Sequence, residues 1–199
     1  LKYLQTLTTE AFQTEAYVYD EDEAYLLLFS NTKLVIVDIS NPTAVLQTIT
    51  SMAWQTAQIG SLVVSQSGDT MFVTHPSIPT KKITRTSSTN FSVTNYVFDS
   101  SAGMSFQPYY KFAGTYLRLV DSAGTVRHGL ITGFTSATVV TITLSGALAN
   151  TNAITNWGEQ AFSSIRGYAR TVTFHDQRLI FGGSRDLPNF LFMSKIGEF

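Results

Sequence analysis

Cysteine is absent from the sequence, which excludes disulfides, thiolate zinc sites and a cysteine nucleophile, and leaves the redox compartment open. Histidine is scarce: His75, His128 and His175 are the three in the chain and lie in three separate contexts, whereas a metal site needs two or more close ligands. Charged residues make up only 14% of the chain and sum to a net −1, so the overall balance calls for neither a polyanion nor a membrane surface as partner. Long apolar runs are missing too. Leu26-Leu27-Leu28-Phe29 and Leu34-Val35-Ile36-Val37 fall far short of the roughly 18 residues that span a bilayer, so no membrane insertion of this chain is expected. No basic n-region or apolar h-region follows Leu1, and an apolar pattern still runs at Phe199; the chain is expected to be a fragment of a longer protein.

What is present is ordinary for a globular core: 44% of the 199 residues are hydrophobic, enough to bury one or two domains. The charge is uneven along the chain, with seven acids against two bases in residues 1 to 60 and eleven bases against seven acids in residues 61 to 199. Thr, Val, Ser, Phe and Tyr abound, and short β-branched runs alternate with Gly, Asn, Asp and Pro, which predicts an all-β fold. The best helical candidate is a turn or two around Gly158 to Ile165, where Glu159, Gln160 and Ala161 have local propensity without an amphipathic stripe.

A grammar repeats three times: an apolar strand, an acidic or Gly-containing turn, a second apolar strand, a polar loop and a third strand. It runs Ala16 to Tyr19, Tyr25 to Phe29 and Lys33 to Ile39; then Ser61 to Val64, Thr70 to Thr74 and Lys81 to Thr86; then Thr171 to Phe174, Arg178 to Phe181 and Phe190 to Lys195. Such units predict propeller-like β blades. Between the second and third, Tyr116 to Val120, the turn Asp121-Ser122-Ala123-Gly124, Val126 to Thr132 and Val139 to Leu144 read as a meander, expected to form an inserted small β-barrel. The expected division is blades over 1–103, the barrel over 104–156 and a further blade over 157–199, with Ser-, Gly- and Asn-rich junctions.

Candidate chemistry resolves into structural readings. His175-Asp176 stands at a strand-to-strand turn, where Asp is a good turn former, and His75 precedes Pro76 in a loop without any nucleophile motif. Asp20-Glu21-Asp22-Glu23 lacks the alternating ligands and central Gly of a calcium loop and is expected to be a solvated hairpin turn. Phe181-Gly182-Gly183-Ser184 lacks the second Gly of a nucleophile elbow, and no phosphate-binding loop occurs. Lys81, Lys82 and Arg85 are the densest basic cluster, split by strand alternation so that Lys81, Ile83 and Arg85 share one face and Lys82 and Thr84 the other; an exposed, lysine-protected strand is expected there. No catalytic, cofactor-binding or metal-binding residue is expected, and the chain is not expected to be an enzyme. Trp54, Trp157 and the tyrosines leave one alternative, a carbohydrate-binding or carbohydrate-cleaving β-rich tail adhesin.

Two stretches carry a resemblance. Gln66-Ser67-Gly68-Asp69, Thr70 to Thr74, His75-Pro76, Pro79, Lys82 and Thr84-Arg85-Thr86 form the first. Trp157, Ala161, Ser163, Gly167-Tyr168, Arg170, Phe174, Gln177-Arg178-Leu179, Phe181-Gly182-Gly183-Ser184, Pro188, Ser194, Gly197 and Phe199 form the second. In this order they resemble the tail nozzle, or tail tubular B-like, proteins of short-tailed bacteriophages, over most of the chain and least over residues 1 to 15 and 104 to 156. That family commonly has Pro where this chain has Ala169. The resemblance implies a structural component of the virion tail: a homo-hexameric ring forming the lower DNA-ejection channel, adjoined by tail adaptor and tail fibre proteins, with genomic DNA passing through unbound and no cofactor. The insert is in turn similar to the small β-barrel beside the catalytic cysteine domain of ubiquitin-activating enzymes, a similarity of fold alone that implies no conjugation chemistry here.

Overall fold

A computed structural model describes residues 10–42, 45–97, 109–110, 116–136 and 138–199, and every regular element among them is a β-strand. The all-β expectation holds. The expected helical turn around Gly158 to Ile165 is absent among the described residues, because Asn156–Gln160 instead pairs with a neighbouring strand. Local helix propensity there is worth only tenths of a kcal/mol per residue, less than a ladder of main-chain hydrogen bonds.

The first sheet is an antiparallel meander of β1 (Phe12–Val18), β2 (Ala24–Ser30), β3 (Lys33–Asp38) and β4 (Val45–Thr50). The second repeats it with β5 (Val63–Ser67), β6 (Thr70–His75), β7 (Ile78–Ser87) and β8 (Asn90–Asn95). Both contain the three expected strands and add a fourth, β4 or β8, at the sheet edge. Pro79 lies inside β7, where the pairing steps from Val73↔Lys81 to His75↔Ile78; this irregularity is the one kind of place in a central strand where a residue without an N–H is tolerated.

Strand alternation explains how the sheets stack. Tyr17, Leu27, Phe29, Leu34 and Ile36 leave one face of the first sheet and meet Met71, Val73, Ile83 and Phe91 from the second. Phe72, on the opposite face of β6, is fully buried with Val172, Leu179 and Phe181 of a third sheet, built from β14 (Thr171–His175), β15 (Arg178–Gly182) and β16 (Leu191–Met193). The unbroken apolar runs in β2 and β3 follow from the same geometry, since Leu28, Val35 and Val37 are buried on the face away from the second sheet. Each such fully buried side chain is worth about 1.5–3 kcal/mol.

Between the second and third sheets the chain forms β9 (Tyr109–Tyr110), β10 (Tyr116–Val120), β11 (Val126–Ser136), β12 (Val139–Leu144) and β13 (Asn156–Gln160), ordered β12-β11-β10-β13-β9. This corrects the expected barrel: among the described residues the sheet is open, with β12 and β9 at unjoined edges. Closure needs the edge strands to meet, and two register shifts in the β11–β12 ladder bend that hairpin while leaving Phe134, Val139 and Val140 exposed. The strand β13 reaches past residue 156, so Trp157 to Gln160 hydrogen-bond within this sheet.

Candidate functional site

The residues with catalytic potential stand apart. His175 and Asp176 lie 3.2 Å from each other on an open turn, with 74% and 82% of their side chains exposed. Asp176 and Gln177 both have positive φ, 47° and 56°, which suits a tight hairpin turn. His75 accepts the Ser77 N–H on Nδ1 at 3.1 Å, and burial lowers its pKa. His128 sits across from Arg118 in the β10–β11 ladder; burial, and then the Arg118 charge, lower its pKa as well. Ser184 is fully buried, and its Oγ accepts the Leu187 N–H at 3.2 Å, so the hydroxyl serves its own turn. Among the described residues no three His, Asp or Glu side chains gather as metal ligands. Trp54 is wholly buried, while Trp157 and Tyr116, both partly exposed, occupy opposite faces of their sheet by the β10 register. These aromatics build no common sugar platform.

What the fold does assemble is a set of polar joints between sheets. At the first joint Glu23 leaves the acidic turn that sequence alone predicts. Asp20 Oδ1 caps the turn by accepting the Asp22 and Glu23 N–H groups at 2.9 and 2.8 Å. The Glu23 carboxylate accepts Arg85 Nη2 at 2.5 Å and lies against the Tyr25 hydroxyl. Arg85 is also not the exposed edge cation expected of it: its side chain is 12% exposed, its guanidinium covers the Tyr19 ring at 3.9 Å, and Nε donates to the Tyr25 hydroxyl at 3.3 Å. Lys82, on the other face, lies 5.9 Å from the Phe72 ring, as the alternation predicts.

Three glutamines tighten the same joint, each presenting its amide to a main chain as a strand would. Gln66 accepts the Val18 N–H at 3.1 Å and donates to the Val18 carbonyl at 2.7 Å. Gln47 does the same for Phe91, at 2.8 and 3.1 Å. Gln13 accepts from Gly60 and donates to Leu62, both at 3.0 Å. Nothing in the sequence marks these residues out from other polar strand positions; their partners are 44 to 49 residues away.

A second joint ties the five-stranded sheet to the third. Glu159 on β13, with 2% of its side chain exposed, accepts Arg166 Nε at 3.3 Å; Arg166 Nη1 reaches Asp186 at 3.4 Å, and Arg185 Nε donates to Asp186 at 2.8 Å. Alongside, the Tyr168 N–H donates to the Pro76 carbonyl at 3.0 Å, joining this loop to the β6–β7 turn. The Arg185 guanidinium also bonds the Ile165 carbonyl.

The two joints carry pH dependences of opposite sign. The Arg85 hydrogen bonds hold the Glu23 pKa below the ordinary 4.5, so their stabilisation is complete above that value and is lost as pH falls through the folded pKa. Burial raises the Glu159 pKa, against the pull of Arg166; the native state there holds its proton longer, and that group's cost grows as pH rises through the ordinary value. We expect Arg85→Ala to lower stability most near neutral pH and the gap to wild type to narrow below about pH 4.5. Urea titrations across that range measure it, and a gap constant down to about pH 3 contradicts the joint.

The chain matches neither any protein-family model nor any curated protein against which it was compared.

Proposed function

We propose that this chain is a non-catalytic structural part of a bacteriophage tail, belonging to the nozzle ring that forms the lower DNA-ejection channel. The observation that carries this reading is where the two resembling stretches meet. The Pro76 carbonyl from the first accepts the Tyr168 N–H from the second, and Phe72 from the first is buried against Phe181 from the second. Within the second, the Arg170 N–H reaches the Gly182 and Gly183 carbonyls at 3.1 Å. The shared residues thus form a joint between sheets, which is what a rigid wall needs.

In this reading the three meanders are successive blades of a propeller-like body, divided as 1–103 and 157–199, with the sheet drawn mainly from 104–156 inserted between them. Six copies close a ring by heterologous contacts, adjoining tail adaptor and fibre proteins in the virion. A conduit must let DNA slide, and each phosphate neutralised by the wall strengthens its grip; a net charge of −1 suits passage. Duplex binding followed by fluorescence anisotropy at about 150 mM salt tests this. Weak or no binding is expected, whereas a dissociation constant well below about 1 μM, the tight end of non-specific binding, rejects the conduit and favours a dedicated DNA-binding role.

A further inference from the structure

The first two meanders stack so that an edge strand of one faces an edge strand of the other, and glutamines bridge both pairs. At the β1 and β5 edges, Gln66 of β5 bonds the N–H and the carbonyl of Val18 on β1. At the β4 and β8 edges, Gln47 of β4 does the same for Phe91 on β8. The β7–β8 ladder identifies the groups that Gln47 takes. Residues of an antiparallel strand direct their main-chain groups alternately toward the neighbouring strand and away from it. The Tyr96 N–H donates to the Thr80 carbonyl at 2.8 Å, so Ser92, Thr94 and Tyr96 face β7. Phe91, Val93 and Asn95 therefore direct theirs outward, and the Gln47 amide meets Phe91 as a further strand would.

Edge strands are ordinarily kept from pairing with other chains by charge, Pro or a bulge. β8 reads Asn-Phe-Ser-Val-Thr-Asn, without a charged residue or Pro, and its register with β7 is unbroken from Phe91 to Asn95. By contrast β1 carries Glu15 at its centre. β8 is also compatible with itself: in an antiparallel pair of copies centred on Val93, Phe91 stands opposite Asn95 of the second copy, and outward main-chain groups meet outward groups. We propose that Gln47 is an edge guard, an intramolecular contact whose amide holds the place of a further strand at Phe91 and so keeps β8 from pairing with β8 of a second copy. The carboxamide suits this task because it offers one acceptor and one donor side by side, the same pair that a strand residue presents to its neighbour.

The test compares Gln47→Ala with Gln13→Ala by sedimentation velocity over a range of concentration, with amide hydrogen exchange locating any contact. Gln13 is the control, because its amide bonds Gly60 and Leu62 in the loop before β5 rather than on an edge strand. Both variants lose two hydrogen bonds to main chain and should melt a few degrees below wild type. Gln47→Ala alone should also self-associate, about tenfold more tightly than wild type, with exchange at the Val93 and Asn95 amides slowing as concentration rises. Gln47→Asn, whose amide is one methylene too short for the same reach, is the second variant should the alanine fail to fold. Gln47→Glu puts a charge on the edge instead and should stay as dispersed as wild type. Unchanged association in folded Gln47 variants, equal association in Gln13→Ala, or pairing through β8 in wild type each overturns the proposal.

Discussion

Gly167→Ala is expected to destabilise the chain by about 2–4 kcal/mol, from left-handed strain and steric overlap together. Gly167 has φ +83°, and a Cβ there would lie 2.9 Å from Arg185 Cβ, 3.1 Å from the Arg185 nitrogen and 3.3 Å from the Pro76 carbonyl oxygen. Two of these three neighbours are backbone, so they yield only if the joint between the β6–β7 turn and the third sheet opens. Gly197 is the control, since its φ is +72° with nothing within 4 Å of the added atom, and alanine there should cost only the strain of about 1 kcal/mol. Chemical denaturation of the two variants separates the terms. Equal losses would mean that Gly167 has no packing role, and that the second stretch of resemblance does not shape the joint.

Trp54→Ala is expected to cost about 3–5 kcal/mol, the range for deleting a large aromatic from a core. The ring is completely buried and lies 5.2 Å from Phe29. Its Nε1–H is shared between the Ser30 and Lys33 carbonyls, both at 3.1 Å, so truncation also leaves main-chain acceptors without their donor at the β2–β3 turn. Trp54→Phe keeps most of the volume and should recover more than half of the loss. If thermal unfolding places Trp54→Ala within about 1 kcal/mol of wild type, an ordinary surface effect, the residue is not a core anchor.

Trp54 also shows where sequence reasoning stops. An aromatic side chain in a β protein serves equally as core or as sugar platform until its surroundings are known, and here the surroundings come from Phe29 and from two carbonyls more than 20 residues away. The apolar runs Leu26 to Phe29 and Leu34 to Val37 were legible because burial on both faces leaves a pattern in consecutive residues. The turns at Asp20, Gly68 and Asp176 were legible because their backbone demands particular residue types. By contrast β4 and β8 are edge strands that bury one face only, and the step in β4 between Gln47 and Val45 breaks the alternation that would have announced it.

The polar joints were invisible for a related reason. Glu23 and Arg85 are 62 residues apart, each inside a run of like charge whose ordinary fate is solvation. Only the packing of the first sheet on the second takes one member from each run and pairs them. The barrel expectation is not met at the edges among the described residues: strand content and order between residues 116 and 144 matched the reading, but closure depends on which edge strands meet, and no local pattern specifies that.

The central claim is that the chain builds a ring wall, and electron microscopy of the full-length protein to which it is proposed to belong tests it most directly. Class averages should show closed rings with sixfold symmetry and an open central channel, each subunit carrying this stack of antiparallel sheets. Monodisperse single particles without rings, under conditions where the full-length protein is folded, would contradict the account.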